Sequence, residues 1–171
     1  MEEQLEELLV SCDEYISVQL EKQLHNISRE IKPIAVKEYT FSPMSVYNEM
    51  HDLYTMTNHE EFDDLMNQIV EENSFLEKYQ PLLIELAINA LDHGNKYDPN
   101  KTLSISIAEG QKGWIMSIKD DGEGFDFKET LKNGFFTHEG CGLRKLKEKC
   151  SENPLSFSYQ EQGRQINVYT L

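Results

Sequence analysis

The chain is short of basic residues, cysteines and long apolar runs. Of its 171 residues only 16 are Lys or Arg, against 31 Asp or Glu, a formal charge of −15. That balance excludes a nucleic-acid or anionic-membrane footprint, because both demand a basic surface. The three cysteines, Cys12, Cys141 and Cys150, are odd in number and widely spaced. They make neither a CxxC metal pattern nor a disulfide framework. The longest apolar stretch, Pro81–Leu91, is interrupted by Glu85 and Asn89, so nothing in it can span a bilayer. The chain opens Met-Glu-Glu-Gln, with neither a basic nor an apolar leader region. No secretory signal is expected, and a reduced cytoplasm is the expected compartment. Internal repeats and low-complexity tracts are missing as well.

What is present suffices for a core. The composition is 39% hydrophobic and 27% charged, with eight Phe and eight Tyr, which excludes general disorder. The length suits one domain, or one domain with an appendage. The charge is unevenly spread: residues 1–80 hold 18 acidic and 5 basic residues, residues 81–171 hold 13 and 11. A very acidic front is thus joined to a nearly neutral back.

Residues 1–31 carry apolar positions at steps of three or four, namely Leu5, Leu9, Cys12, Ile16, Leu20, Leu24, Ile27 and Ile31. This narrow stripe predicts one long amphipathic helix, ended by Pro33, that either pairs with itself or docks on another protein. The organisation expected is therefore this helix over 1–33 and a domain over 34–171. Ile34–Phe41 reads as a strand and Met44–Thr55 as a short helix. Asn58 followed by Glu61 is a capping-box pattern opening a helix with Phe62, Leu65, Met66, Ile69 and Val70 on one face. Ser74 and Glu77 repeat that pattern before a helix from about Leu76 to His93, with Gly94 as its C′ residue. The period then changes to two. Leu103, Ile105 and Ile107, a glycine turn, then Trp114, Met116 and Ile118 predict a β-hairpin. Asp120–Gly142 reads as a long loop, Leu143–Cys150 as a short basic helix, and Leu155–Tyr159 with Ile166–Leu171 as a last hairpin. This order predicts an α+β fold: a two-layer α/β sandwich with a mixed or antiparallel sheet covered by helices on one face.

Three constellations carry chemistry. The helix Pro81–His93 is apolar nearly all round, yet Glu85, Asn89, Asp92 and His93 share one polar stripe at i, i+4, i+7 and i+8. Such a seam faces solvent or lines a pocket, and a buried carboxylate in it needs a partner. Asp120-Asp121-Gly122-Glu123-Gly124 stands where a strand ends, and its glycines permit close backbone approach to a ligand. It lacks the spaced oxygen ligands of a calcium loop. Gly140-Cys141-Gly142-Leu143 opens the basic helix carrying Arg144, Lys145, Lys147 and Lys149. Free amides at such a start suit an anion, and Cys141 there is either an inert buried thiol or a redox-sensitive one. Neither the Rossmann glycine fingerprint nor a P-loop is present.

In this order the three segments resemble the Bergerat-fold ATPases, the superfamily of gyrase, histidine kinases, heat-shock chaperones and mismatch-repair ATPases. The segment Glu85-Leu-Ala-Ile-Asn89-Ala-Leu-Asp-His93-Gly94 looks most like that of the anti-sigma-factor serine kinases of bacterial partner-switching systems. The likeness covers roughly Glu60–Leu171 and leaves out the N-terminal helix. It implies that ATP and Mg²⁺ are bound, with Asn89 coordinating the metal and Glu85 acting as the base for the attacking hydroxyl. It implies that Asp120 accepts a hydrogen bond from the adenine amino group, with Gly122 and Gly124 letting the backbone approach the base. His93 and the turn Gly140, Cys141, Gly142 and Leu143 would complete the nucleotide site, and 125–139 would be the lid. The function implied is phosphoryl transfer to Ser or Thr of a small antagonist protein, together with binding of a regulatory partner such as a sigma-like factor. A homodimer is compatible with this reading. The rival readings are a non-catalytic ATP-binding partner-switch module and a sensor histidine kinase. The second is disfavoured because Arg29 stands where the phosphoacceptor histidine would be. The acidic front is expected to steer a basic protein partner.

Overall fold

The computed structural model describes residues 33–124, 155–160 and 163–170. The expected helix over 1–31, the lid 125–139, the turn Gly140–Leu143 and the basic helix up to Cys150 lie outside the described residues. Within them the fold is α+β. Seven strands are present: β1 (Pro33–Phe41), β2 (Ser45–Asn48), β3 (Leu53–Met56), β4 (Leu103–Gly110), β5 (Trp114–Lys119), β6 (Ser156–Gln160) and β7 (Gln165–Thr170). Two α-helices, α1 (His59–Glu72) and α2 (Gln80–Asn89), are joined by a 3₁₀ segment, Ser74–Tyr79, and α2 continues into a π-helical turn, Ala90–Gly94.

Five strands form one sheet in the order β1-β4-β5-β7-β6, with every neighbouring pair antiparallel. The expectation of a mixed or antiparallel sheet resolves to the antiparallel case for these strands. Alternation explains the sheet's two faces. Tyr39 and Phe41, then Leu103, Ile105 and Ile107, then Trp114, Met116 and Ile118, then Ile166 and Val168 are buried in one core with the helices. The register puts polar residues on the opposite face, such as Ser106 beside Ser117 and Ser117 beside Asn167. There the Ser117 hydroxyl donates to Asn167 Oδ1 at 2.7 Å.

Helix α1 buries Phe62, Met66 and Ile69, spaced i, i+4, i+7 as the sequence predicts, with Leu65 and Val70 half-buried. Phe62 meets Phe41 of β1 edge-on, with ring centroids 5.4 Å apart. At the other end of α1 the Tyr39 hydroxyl donates to Glu72 Oε2 at 2.9 Å and accepts from Asn73 Nδ2 at 3.0 Å. The Lys37 ammonium donates to the Glu72 carbonyl. Strand β1 thus supplies the cation that the last turn of α1 lacks, where a helix C-terminus favours positive charge. The hydrogen bond from Gln68, then that from Tyr39, lowers the Glu72 carboxyl below its ordinary range.

Four local expectations need correction. Met44–Thr55 is not a helix but the β2–β3 hairpin, in which the Tyr47 ring packs against that of Tyr54, tilted by 54° with centroids 5.1 Å apart. The reason is in the residues: Val46, Tyr47, Tyr54 and Thr55 favour strands. Between the strands Asn48 Oδ1 accepts from the Met50 amide, and Asp52 adopts φ 50°, so the four residues 49–52 turn tightly. Asn58 precedes α1 but makes no side-chain cap; it accepts from the Met44 amide at 2.8 Å and donates to Glu61 Oε2. The hairpin has taken the oxygen that the capping box would use. The segment after Ser74 starts as a 3₁₀ helix without a side-chain cap, and α2 proper begins only at Gln80, with Pro81 in its first turn. Trp114 holds that 3₁₀ segment, lying 5.1 Å from Tyr79 and 6.0 Å from Phe75. Finally, Gly94 is not a left-handed C′ residue: it lies inside the π turn, and the positive φ angles fall later, at Lys96 and Tyr97.

Leu83 lies at the centre of α2 with no exposure. Leu83→Ala is expected to cost about 3 kcal/mol through lost burial and an unfilled cavity. Urea denaturation checks this as a lower midpoint with an unchanged slope.

Candidate functional site

Helix α2 is the spine of the candidate site. Leu82, Leu83, Leu86 and Ala87 are buried, which leaves a face that the sheet does not cover. Gln80, Pro81, Ile84, Glu85, Ile88 and Asn89 line an open groove of about 610 Å³ on that face. Glu85 and Asn89, one turn apart, are both half-buried there. Ile88 is exposed although α2 reads as apolar all round. The anticipated polar stripe does not continue past Asn89. The π turn inserts an extra residue, marked by the Asn95 amide bonding the Ala90 carbonyl at 2.8 Å, and such turns recur at functional sites. Leu91 goes to the core, while Asp92 and His93 are exposed and face one another at 3.9 Å. Glu85 and Asn89 therefore share a groove that neither Asp92 nor His93 lines.

Where the π turn ends, the chain meets the end of β5. The Asp120 amide donates to the Arg164 carbonyl at 2.9 Å, and Asp120 Oδ1 accepts from the Gly122 amide at 2.8 Å. A Cβ on Gly94 would collide with the Asp120 carboxylate, and one on Gly122 would collide with the Gly94 carbonyl. The two glycines are needed for close approach between helix end and strand end. Gly124 has φ 77°, a conformation that suits glycine. The structure thus brings Gly94, Asp120 and Gly122 together. About 7 Å of helix separates this cluster from Asn89, taking five residues at the usual rise.

Asp120 is buried. Burial raises its carboxyl above the ordinary carboxylate range; the Gly122 amide, Arg164 and Lys101 pull it down, while Asp121 pushes it up. A buried carboxylate with one backbone donor has acceptor capacity left for another.

Asn95 is the residue that sequence reasoning missed. It is fully buried, and its Oδ1 accepts from the Asp121 amide at 2.9 Å. Its Nδ2 has no hydrogen-bond partner among the described residues, which is a costly state for a buried amide. The only signal was an Asn after a glycine at a helix end, which reads equally as an ordinary turn. Asp121 in turn accepts from the Thr102 amide at 3.0 Å. Nothing in the pattern singled out Arg164.

Gly140, Cys141, Gly142 and Leu143 lie outside the described residues. Among the described residues no three His, Cys, Asp or Glu side chains gather as a metal cluster. No helix among them is long and apolar enough to cross a membrane. No protein-family model matches the chain, and a search of curated proteins finds no match.

Two outcomes follow. Gly94→Ala must displace the Asp120 carboxylate and is expected to destabilise by about 1–3 kcal/mol, as overpacking does; thermal unfolding measures it. The second concerns pH. With its folded pKa raised, Asp120 binds its proton more tightly folded than unfolded. Stability should therefore fall as pH rises from the ordinary carboxylate range through the raised value, and level off above it. In Asp120→Asn that component of the fall is expected to vanish, so the difference between the two proteins' denaturation midpoints should change with pH only within that window.

Proposed function

We propose that the protein is an ATP- and Mg²⁺-binding regulatory protein with a Bergerat-type sandwich. In this reading it transfers the γ-phosphoryl group to a Ser or Thr of a small antagonist protein and holds a regulatory partner such as a sigma-like factor, in the cytoplasm. The observation that carries this reading is the cradle at Asp120. A buried carboxylate stands there between two glycines with no room for side chains, beside the orphaned Asn95 amide. Such a place suits a flat heterocycle with an exocyclic amino group, as a carboxylate accepts from that amino group and bare backbone lets the ring approach.

The groove on α2 supports the other half. Asn89 has a side-chain oxygen to offer a Mg²⁺ ion whose remaining ligands would be phosphate oxygens and water, so the lack of a three-residue metal cluster among the described residues is no obstacle. Glu85 lies one turn earlier in the same groove, where it can take the proton of an attacking hydroxyl. Bound Mg-ATP would supply the phosphoryl group and neutralise its charge. Phosphate amides would come from Gly140 and Gly142, and His93 and Leu143 belong to the same proposed nucleotide site.

A Mg-ATP titration of wild type beside Asn89→Ala and Asp120→Ala tests the assignment. Binding is expected in wild type and should weaken at least about 10-fold in each variant; undiminished binding in both sinks the site. Glu85→Ala should keep ATP binding and abolish phosphorylation of the antagonist protein. If wild type binds ATP but phosphorylates no antagonist, the chain is a non-catalytic nucleotide-dependent partner switch.

A further inference from the structure

We propose that the β2–β3 hairpin is a docking surface for a cationic amphipathic helix of a partner protein. Eight large hydrophobics are exposed among the described residues, and five of them, Met44, Val46, Tyr47, Met50 and Leu53, belong to this one hairpin. Four of the five, all but Tyr47, make one contiguous apolar patch, which marks an interaction site where scattered exposed residues would not. Register places it. Val46 lies opposite Thr55 and Leu53 opposite Asn48, so Val46 and Leu53 are diagonal neighbours on one face. Met44 precedes Val46 by two residues, and Met50, 86% exposed, stands at the tip. The other face is used for folding: Met56 enters the core and Tyr47 packs against Tyr54. Val46, Tyr47, Asn48, Glu49, Met50 and Thr55 surround an open depression of about 710 Å³. Methionines at such a surface adapt to a partner's side chains.

Charge selects the occupant. From Glu38 to Glu77 the chain has ten acidic residues and no Lys or Arg. Glu49 and Asp52 lie in the hairpin turn, and Glu60 and Glu61 in the first turn of α1. The hairpin base is fixed to that helix start by the Met44 amide on Asn58 at 2.8 Å and the Thr57 amide on the Met44 carbonyl at 2.7 Å. An apolar face inside an acidic surround fits a helix with an apolar stripe flanked by Lys and Arg. An anionic membrane would be repelled.

The proposal does not depend on nucleotide binding and stands if the titration above fails. Its test uses the full chain and a synthetic Leu/Lys peptide of about 18 residues with helical spacing, beside a scrambled peptide of the same composition. Fluorescence anisotropy should show saturable binding of the patterned peptide, weakening at least about 10-fold between about 50 and about 300 mM NaCl. The charge-neutral change Val46→Ser/Met50→Ser/Leu53→Ser should weaken it at least about 10-fold, while Ile34→Ser/Val36→Ser should leave it within about 2-fold. Should the triple variant fail to fold by circular dichroism, Glu49→Gln/Glu60→Gln decides, with an expected loss of at least about 3-fold and a shallower salt dependence. Equal affinity for the scrambled peptide, or wild-type affinity in the deciding variant, overturns the proposal. Hairpin-dependent binding to phosphatidylcholine vesicles, or a hairpin-dependent dimer that excludes the peptide, overturns it in favour of a lipid or a second copy.

Discussion

The constraint on which this structure turns is the absence of side chains where α2 runs into the end of β5. Gly94 and Gly122 lie so close to one another and to the Asp120 carboxylate that even a methyl group would intrude. The chain reaches this contact by two deviations from regular geometry, the π turn at Ala90–Gly94 and the left-handed residues Lys96 and Tyr97 behind it. Because the helix end is pressed against the strand end, the carboxylate is buried and its acidity is set by competing influences. Loss of solvent raises its pKa; the Gly122 amide, Arg164 and Lys101 oppose this. A polar group in such a balance is expensive to keep. The bond from the Gly122 amide offsets only part of that cost, and the adjoining Asn95 Nδ2, buried without a partner among the described residues, adds to the same imbalance.

Helix α2 meets two demands with one composition. Leu82, Leu83, Leu86 and Ala87 seal the core, and that packing holds the helix rigidly. Its other apolar residues, Ile84 and Ile88, are left on the groove beside Glu85 and Asn89. Read as a sequence, the all-round apolarity suggests a fully buried helix. In the structure it divides into a packed face and a cleft wall, and mixed apolar and polar walls are the usual lining of small-molecule sites. Polar side chains on a packed helix keep their position better than on a loop.

Most of the sheet and α1 was legible because burial acts through periodicity. Leu103, Ile105 and Ile107, then Trp114, Met116 and Ile118, alternate without a break and form β4 and β5; Phe62, Met66 and Ile69 repeat at helical spacing in α1. The same signal failed for Met44–Thr55, where neither strand has a clean inward face: only Met56 reaches the core, so period-two burial had nothing to write into the sequence. It failed again at Gly94, whose role is spatial. A glycine after a helix reads as a left-handed stop, whereas here the residue that excludes a Cβ lies 26 positions away in the chain, at Asp120. Glu85 and Asn89 are legible as polar breaks in an apolar helix; Asp92 and His93 fall in line with them only under a regular 3.6-residue repeat, which the π turn breaks.

The hairpin presents an energetic question that its own folding does not answer. A two-stranded ribbon is marginal alone, and this one is held by Met56 in the core, the Tyr47–Tyr54 ring contact and the bonds from Met44 to Asn58 and Thr57. The Tyr47 hydroxyl also donates to Asp52 across the turn. None of these involves the side chains of Val46, Met50 or Leu53, which are left to water. Exposed apolar groups contribute little to stability and invite self-association. The surrounding acidity restrains the second effect, since two chains each carrying −15 repel one another. Like charge around an apolar patch therefore does two things at once: it keeps copies of this chain apart, and it leaves the patch open to a partner of opposite charge. The same acidity would oppose an anionic ligand. The cluster at the end of β5 is set apart from that conflict: there Lys101 and Arg164 bear on Asp120, far along the chain from the stretch without a single cation.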